Sequence, residues 1–284
     1  MGLLLKWLIN VWIAVSGRLC RYVDYPWLQG PMGDEGLLIG DDYYKAYAEA
    51  KGFTIEREPG GGLVRDFRAI IPLADPFRQK LLQRVVDFYE HTAAYKLEVW
   101  SQWYPPYAFF ARILIRSLST KMNQLNIPLQ PLETSRGMSN EVLHLKDPSS
   151  GDLVHACWLR KSILTGRVVY SGFYSGVQIG GTPMVRVVFP LPGGNATVLL
   201  RIEVQEDGSV KLLSDGKRIG EAGYYRVRRS GDDAVRVKYV PLKEVIHVFC
   251  DEYGDLRTDH IFSFLGTKML QLHYKIMGIS QLAN

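Results

Sequence analysis

The chain has 284 residues, of which 47% are hydrophobic and 22% are charged, and this globular composition excludes a disordered protein. Its length allows one large domain or two modest ones with an ample core. The formal net charge is +5. Because the chain lacks a dense Lys/Arg run and a nucleic-acid-binding motif, we expect no nucleic-acid partner. The three cysteines are odd in number and far apart, which excludes a disulfide framework and favours a reducing, cytoplasmic compartment.

Residues 1–22 form a mostly apolar segment that Lys6 and Asn10 interrupt. Its apolar part covers about fifteen residues, fewer than the ~20 of a transmembrane helix, and the segment lacks the basic start and cleavage site of a secretory signal. Trp7 and Trp12, followed by basic residues, suit a helix that lies in a membrane interface. A helix packed in the core fits the same pattern, so an anchor, a cleaved segment and a core helix all stay open.

Residues 23–138 are predicted to be a helical region. The segment 41–51 has helical spacing, and Gly52 follows it as a stop signal. A second helix is predicted for residues 76–92, with proline in its first turn. Residues 95–103 alternate apolar and polar side chains and fit either a strand or a continued helix, so this alternative stays open.

Residues 107–126 are predicted to form a basic amphipathic helix. Apolar side chains follow one side of it, and its basic side chains lie mostly away from that side. Such a helix can lie on an acidic membrane surface. It can also pack its apolar side on a sheet and leave its charges in water. The residues expected to contact a membrane are Trp7, Trp12, Arg112, Arg116 and Lys121.

From residue 139 onward the helical periods disappear and turn signals recur at short intervals. About ten β-rich runs with tight links predict a largely antiparallel barrel or sandwich over residues 139–284. Together with the apolar segment 1–22 and the helical region 23–138, this pattern predicts an α+β protein: a helical N-terminal half followed by an antiparallel β domain.

The stretch 244–264, EVIHVFCDEYGDLRTDHIFSF, predicts a hairpin with its turn at Tyr253-Gly254. A two-residue loop would place His247 opposite His260, whereas an odd-numbered loop would place it opposite Asp259. Two histidines are too few ligands for zinc, so we predict no metal site. A His247–Asp259 pair could act in general base chemistry beside a nucleophile, although a structural cross-strand pair is the simpler interpretation.

Residues 170–183, YSGFYSGVQIGGTP, carry glycines spaced through a strand-like run together with three aromatic residues. Glycines in β segments mark bulges or bends, and a curved sheet lined with aromatic side chains leaves room for an apolar ligand. A filled core is the alternative. No phosphate-binding loop and no GxSxG motif occurs, and we expect no cofactor and assign no catalytic residue. The candidate ligand-binding residues are Tyr170, Phe173, Tyr174, His247 and His260.

Several stretches resemble bacterial proteins that carry no assigned activity. They are YEHTAAYKLEVWSQWYPP (89–106), LNIPLQPLETSRGMSNEV (125–142), GEAGYYRV (220–227) and LRTDHIFSFLGTKMLQLHYKI (256–276). The resemblance covers about half of the chain and implies a bacterial cytosolic or membrane-associated protein. It transfers no catalytic residue to this chain.

These patterns favour non-enzymatic binding of a lipid or another apolar small molecule, with a peripheral membrane contact as a further hypothesis. The alternative is a hydrolase-like enzyme that uses the His/Asp pair of the 244–264 hairpin. The identity of the ligand and the oligomeric state do not follow from the sequence.

Overall fold

The computed structural model describes residues 2–36, 38–130, 133 and 137–279. Within these ranges the chain is an α+β protein with a large antiparallel sheet, which confirms the predicted class. The helices are α1 (Gly2–Ser16), α2 (Tyr43–Lys51), α3 (Gln83–Glu90) and α4 (Tyr107–Leu114), and α4 continues through a π-helical turn (Ile115–Ser119) into the short α5 (Thr120–Met122). Single 3-10 turns lie at Pro26–Leu28, Arg68–Ile70, Arg78–Lys80 and Thr92–Ala94.

Most of the strands lie after residue 139, where the turn signals predicted them. The strands are β1 (Arg18–Arg21), β2 (Thr54–Glu56), β3 (Tyr95–Trp103), β4 (Glu141–Lys146), β5 (Leu153–Lys161), β6 (Val168–Ile179), β7 (Thr182–Leu191), β8 (Gly194–Val204), β9 (Val210–Leu213), β10 (Gly223–Arg229), β11 (Ala234–Val240), β12 (Leu242–Cys250), β13 (Leu256–Phe264) and β14 (Thr267–Gly278).

The helical character predicted for residues 1–138 is not confirmed as such. Strands β1, β2 and β3 belong to this part of the chain and join the sheet. Residues 95–103, which fitted either state, form β3, and they pair along their whole length with β14. The alternation of apolar and polar residues in 95–103 therefore indicates a strand, and one face of β3 is buried.

All strand pairs are antiparallel, and their order along the sheet is β2-β4-β5-β6-β7-β8-β9-β12-β13-β14-β3. The sheet branches at β8. Residues Gly194–Leu199 of β8 pair with β10, which continues to β11 and β1, whereas Arg201–Val204 pair with β9. The sheet is not closed into a barrel by backbone pairing.

Side chains connect the two distant edges of this sheet. Just before β4, Asn140 Nδ2 donates hydrogen bonds to the carbonyls of Thr92 and Tyr95, each at 2.7 Å. On β5, Arg160 Nη2 donates to the carbonyl of Leu97 on β3 at 3.3 Å. Since β5 and β3 stand far apart in the strand order, these contacts require the sheet to curl around its buried face.

Helices cover both ends of the curled sheet. At one end, the Leu82 amide before α3 donates to Gly208 in the β8–β9 turn, and Arg84 of α3 donates to Gly254 in the β12–β13 turn. At the other end, the Tyr107 hydroxyl at the start of α4 donates to Phe264 beside the β13–β14 turn. We call α1, α4, the π-helical turn and α5 the helical cover of this second end.

Replacing Asn140 with alanine tests whether the edge contacts hold the curl. We expect the free energy of unfolding to fall by about 3 kcal/mol, because Thr92 and Tyr95 both lose a donor, Trp158 Nε1 loses its acceptor, and each lost hydrogen bond costs about 1 kcal/mol. Urea denaturation measures the change. Gln102→Ala, an exposed change on β3, is the control and should stay within about 0.5 kcal/mol of the original protein. Equal stabilities of the two variants would contradict the bridging role.

Candidate functional site

The curled sheet surrounds a partly open cavity of about 550 Å³. This volume lies within the roughly 300–1,000 Å³ of pockets that bind small molecules. Side chains alternate along each strand, so one face of nearly every strand points into this space. Apolar side chains from the sheet make up most of the wall, among them Leu97, Trp158, Val185, Val187, Val198, Leu200, Leu212, Ile246, Val248, Phe262, Leu270, Leu272 and Ile276.

The helices at both ends complete the wall of the cavity. Phe88 and Tyr89 of α3 line the end that this helix covers. Ile9 of α1, Ala111 of α4 and Leu118 of the π-helical turn line the opposite end. The helical cover therefore forms part of the wall at this end of the cavity.

A polar pair interrupts the apolar wall. Glu244 on β12 is only 7% exposed, and its Oε2 lies 3.2 Å from Nε2 of His260 on β13. The strand register explains the pair, because Ile246 faces His260 and Glu244 occupies the diagonal position on the same face. The pair lies close to the end of the sheet that the helical cover occupies.

Three tyrosines of the wall share the electrostatic field of Glu244. Burial raises the pKa of Tyr174, Tyr224 and Tyr274 above the usual value, and the negative charge of Glu244 raises each of them further. The phenol groups therefore stay protonated at neutral pH. A neutral phenol can both donate and accept a hydrogen bond, so these groups can bind the polar part of a molecule inside the cavity.

Arg226 on β10 adds a cation to the wall of the same cavity. Its Nη1 donates to the carbonyls of Asn195 and Val227, and its Nη2 donates to that of Pro192. Burial lowers the pKa of the guanidinium to about 10, so it remains charged at neutral pH. Its hydrogen bonds hold the turn between β7 and β8.

Three of the five candidate ligand-binding residues line the cavity, and two do not. Tyr170, Tyr174 and His260 belong to the wall. Phe173 points to the opposite face of β6, because side chains alternate along a strand, and it packs against Tyr43 of α2 with ring centroids 6.0 Å apart.

His247 also lies on the outer face of the sheet. The loop Asp251–Asp255 is odd-numbered, so His247 faces Asp259, and His260 points to the other face. A shared metal between the two histidines is therefore geometrically excluded. No group of three or more His, Cys, Asp or Glu side chains suited to a metal ion occurs in the part of the chain that the structure describes.

The neighbours of His247 do not form an activated nucleophile. His247 Nε2 lies 2.8 Å from Ser209 Oγ. The Ser209 hydroxyl donates to Asp207 at 2.6 Å, so His247 Nε2 is left to donate to Ser209 and cannot act there as a base. Ser209 is also only 1% exposed. Asp259 is engaged with His273 Nδ1 at 2.7 Å, so the cluster is a structural hydrogen-bond network.

The residues predicted to contact a membrane are exposed on the helical cover. Trp7 and Trp12 are 59% and 43% exposed. Arg112, Arg116 and Lys121 are exposed, and none of them forms an ion pair with another described residue. Further exposed apolar side chains of the cover and of the turns at the same end are Leu4, Leu8, Val11, Val15, Phe109, Phe110, Ile113, Leu114, Ile163, Leu164 and Leu265.

None of the helices within residues 2–36, 38–130, 133 and 137–279 has the combined length and apolar character that crossing a bilayer requires.

Sequence reasoning missed Glu244, Tyr224 and Tyr274 as candidate site residues. A signal for Glu244 exists in the run Glu244, Ile246, Val248, where an acid occupies one of a set of inward-facing positions. Tyr224 and Tyr274 lie in strands far apart in the sequence. Only the curl of the sheet brings them to the same cavity, so no local pattern points to them.

Comparison with known proteins yields one distant similarity. The chain is 24% identical over 207 residues, or 72% of its length, to the uncharacterized membrane protein YndJ of Bacillus subtilis (strain 168). The chain spans 36% of the length of that protein. No family model matches the chain, and no solved structure matches it. The similarity confirms the resemblance to bacterial proteins without an assigned activity.

A buried histidine, His155, lies on the outer face of the sheet, beside α2. His155 Nε2 is 3.4 Å from the Tyr47 hydroxyl, and the rings of His155 and Phe173 meet edge to face at 5.9 Å. Burial lowers the pKa of His155 to about 3. The folded protein therefore holds this imidazole neutral at a pH at which an exposed histidine is charged.

The depressed pKa of His155 predicts a pH-dependent stability. The His155 imidazole binds a proton near pH 6.5 in the unfolded chain and stays neutral in the folded chain. The free energy of unfolding is therefore highest above about pH 6.5 and falls as the pH drops towards 3. We expect His155→Gln to reduce the slope of unfolding free energy against pH below 6.5 by up to about 1.4 kcal/mol per pH unit. Urea denaturation across this pH range measures it. Tyr47→Phe keeps the imidazole buried and should retain the slope, whereas an unchanged slope in His155→Gln would contradict the assignment.

Proposed function

We propose that the protein binds a lipid or another apolar small molecule inside the curled sheet and acts as a binding protein at a membrane surface. The apolar cavity of about 550 Å³ carries this proposal. A few polar groups in an apolar enclosure are the usual composition of a small-molecule site. The glycine-relieved aromatic run of β6 contributes Tyr170 and Tyr174 to that enclosure.

The arrangement of the sheet supports the same function. We infer that the curled sheet works as a barrel-like container whose gap is bridged by Asn140 and Arg160. Barrels of a suitable size hold one small ligand among inward-facing side chains. In this protein α3 covers one end and the helical cover lies across the other, so a bound molecule would be shielded from water.

The hydrolase-like alternative has weaker support in the geometry. General base catalysis needs a basic nitrogen within reach of a nucleophile that a substrate can approach. Ser209, the hydroxyl beside His247, is buried and donates its proton to Asp207. The His247–Asp259 pair also lies outside the cavity, on the opposite face of β12 and β13.

The membrane part of the proposal rests on the outer face of the helical cover. Trp7, Phe109 and Phe110 expose apolar rings there, and Arg112 and Arg116 place positive charges on the same helix as the latter two. Aromatic residues suit the interface of a bilayer, and basic residues are attracted to acidic lipids. The distant relative carries the description of a membrane protein, which is in keeping with this proposal.

A cavity-filling substitution tests the binding function. Val198 on β8 lines the cavity and is buried. We expect Val198→Trp to occupy ligand volume and to weaken the binding of a neutral polarity-sensitive dye, Nile red, at least about tenfold. Fluorescence titration measures the affinity, and native mass spectrometry of protein purified from its host detects a bound lipid.

Two further variants keep this test decisive. Val187→Trp fills the cavity from β7, so a folding failure of one variant leaves the other to decide. Val23→Trp adds the same ring at an exposed position and should bind the dye like the original protein. Unchanged dye binding in folded Val198→Trp and Val187→Trp would rule out the cavity as the site.

Charge removal on the helical cover tests the membrane contact. We expect the combined change of Arg112, Arg116 and Lys121 to Gln to weaken binding to acidic phospholipid vesicles by about 3 kcal/mol at low salt, since each basic residue near such a surface contributes about 1 kcal/mol. The difference should shrink as salt screens the charges. Vesicle sedimentation measures the bound fraction.

A charge-matched variant controls for this experiment. Lys45, Lys51 and Lys217 are exposed and lie outside the helical cover, and changing all three to Gln removes the same net charge. This variant should sediment like the original protein. If both triple variants lose vesicle binding equally, the attraction comes from net charge and the cover has no specific role.

A further inference from the structure

The Glu244–His260 pair is unusual among the inward-facing residues of β12 and β13. Most of its neighbours on that face are apolar, among them Ile246, Val248 and Phe262, and the neutral Thr258 is the polar exception. Burying a carboxylate costs free energy, and a buried acid–histidine pair often stabilises a fold no better than apolar side chains of the same volume. Stability therefore does not account for this pair, and its position in the wall of the cavity points to a ligand.

The pair and its surroundings retain hydrogen-bonding capacity on the cavity side. His260 occupies Oε2 of Glu244, and Oε1 has no hydrogen-bond partner among the described residues. The hydroxyls of Tyr174, Tyr224 and Tyr274 likewise have none within the ranges that the structure describes, although all three line the cavity. None of these four oxygens belongs to the fully buried unpaired atoms of the described residues, so each stays accessible from the cavity and can bind the polar part of a molecule there.

The negative charge of Glu244 determines which kind of polar group a ligand can place beside it. A carboxylate or phosphate would lie close to Glu244 in a medium of low dielectric, where like charges repel strongly. A hydroxyl can donate to Glu244 and accept from a phenol, which satisfies both partners. Arg226 and Lys6 are cations of the same cavity. Three N–H groups of Arg226 are engaged by backbone carbonyls, and Lys6 pairs with Glu35.

We propose that Glu244, His260 and the phenols of Tyr174, Tyr224 and Tyr274 form the head-group site of the cavity. This site takes an amphiphile whose head donates a hydrogen bond and carries no negative charge, such as a long-chain alcohol. The inference rests on the proposed binding function and adds the chemical class of the ligand. An anionic head held by Arg226 is the competing arrangement, and the same experiment distinguishes the two.

Competition with chain-matched probes tests the head-group site. Dodecanol, dodecanoate and dodecane would each displace Nile red from the original protein at neutral pH. We expect dodecanol to bind at least about tenfold more tightly than dodecanoate. In Glu244→Gln the negative charge is gone, so the ratio of the two affinities should fall towards one while the affinity for dodecane stays within about twofold.

Additional variants secure the interpretation. Tyr224→Phe removes one phenol hydroxyl and should weaken dodecanol binding without affecting dodecane, so it decides the case if Glu244→Gln does not fold. Glu203→Gln, outside the cavity and paired with Arg201, is the matched control and should keep the original ratio.

The possible results separate the two proposals. If neither dodecane nor Nile red binds the original protein, the binding function fails and the inference fails with it. If both bind but dodecanoate binds as tightly as dodecanol, or if Glu244→Gln leaves the ratio unchanged, the head-group site alone is overturned. A preference for dodecanoate that Arg226→Gln abolishes would assign the head group to Arg226.

Discussion

The side-chain bonds of Asn140 and Arg160 to the backbone before and within β3 are the contacts on which the rest of the structure depends. They join the two distant edges of an antiparallel sheet, and the curl that they maintain turns one face of the strands into an interior. Arg160 is 0% exposed, and its guanidinium lies 5.5–5.8 Å from the ring centroids of Trp158, Tyr170 and Tyr274. Aromatic faces attract a cation, so these rings offset part of the cost of burying the charge.

The sequence predicts the β part of the fold well because recognisable turns bound its strands. Residues 41–51 likewise form a helix over nearly the predicted range, since Gly52 ends it. Residues 95–103 could not be assigned, because a half-buried strand and an amphipathic helix share the same residue types there. The basic helix predicted for residues 107–126 forms to Met122, and its π-helical turn leaves no signature in the residue pattern.

The candidate site was predictable only in part. Successive side chains of β6 point to opposite faces of the sheet, so Tyr170 and Tyr174 share one face and Phe173 lies on the other. This rule alone excludes Phe173 from a site that contains the two tyrosines. The partner of His247 depended on the length of one loop, which changes every cross-strand neighbour by one position. Whether a curved sheet encloses a filled core or a cavity depends on the packing of residues that are distant in sequence, so no local pattern contains that information.

The volume of the cavity has a consequence for the amount of folded protein. A buried void costs about 24 cal/mol per Å³, so every part of a cavity of about 550 Å³ that stays empty lowers the stability of the folded chain. An occupant that binds only the folded chain offsets this cost by mass action. If the cavity holds a ligand in the cell, the chain without it lies near its stability threshold and is open to proteolysis. The abundance of the protein would then follow the supply of its ligand.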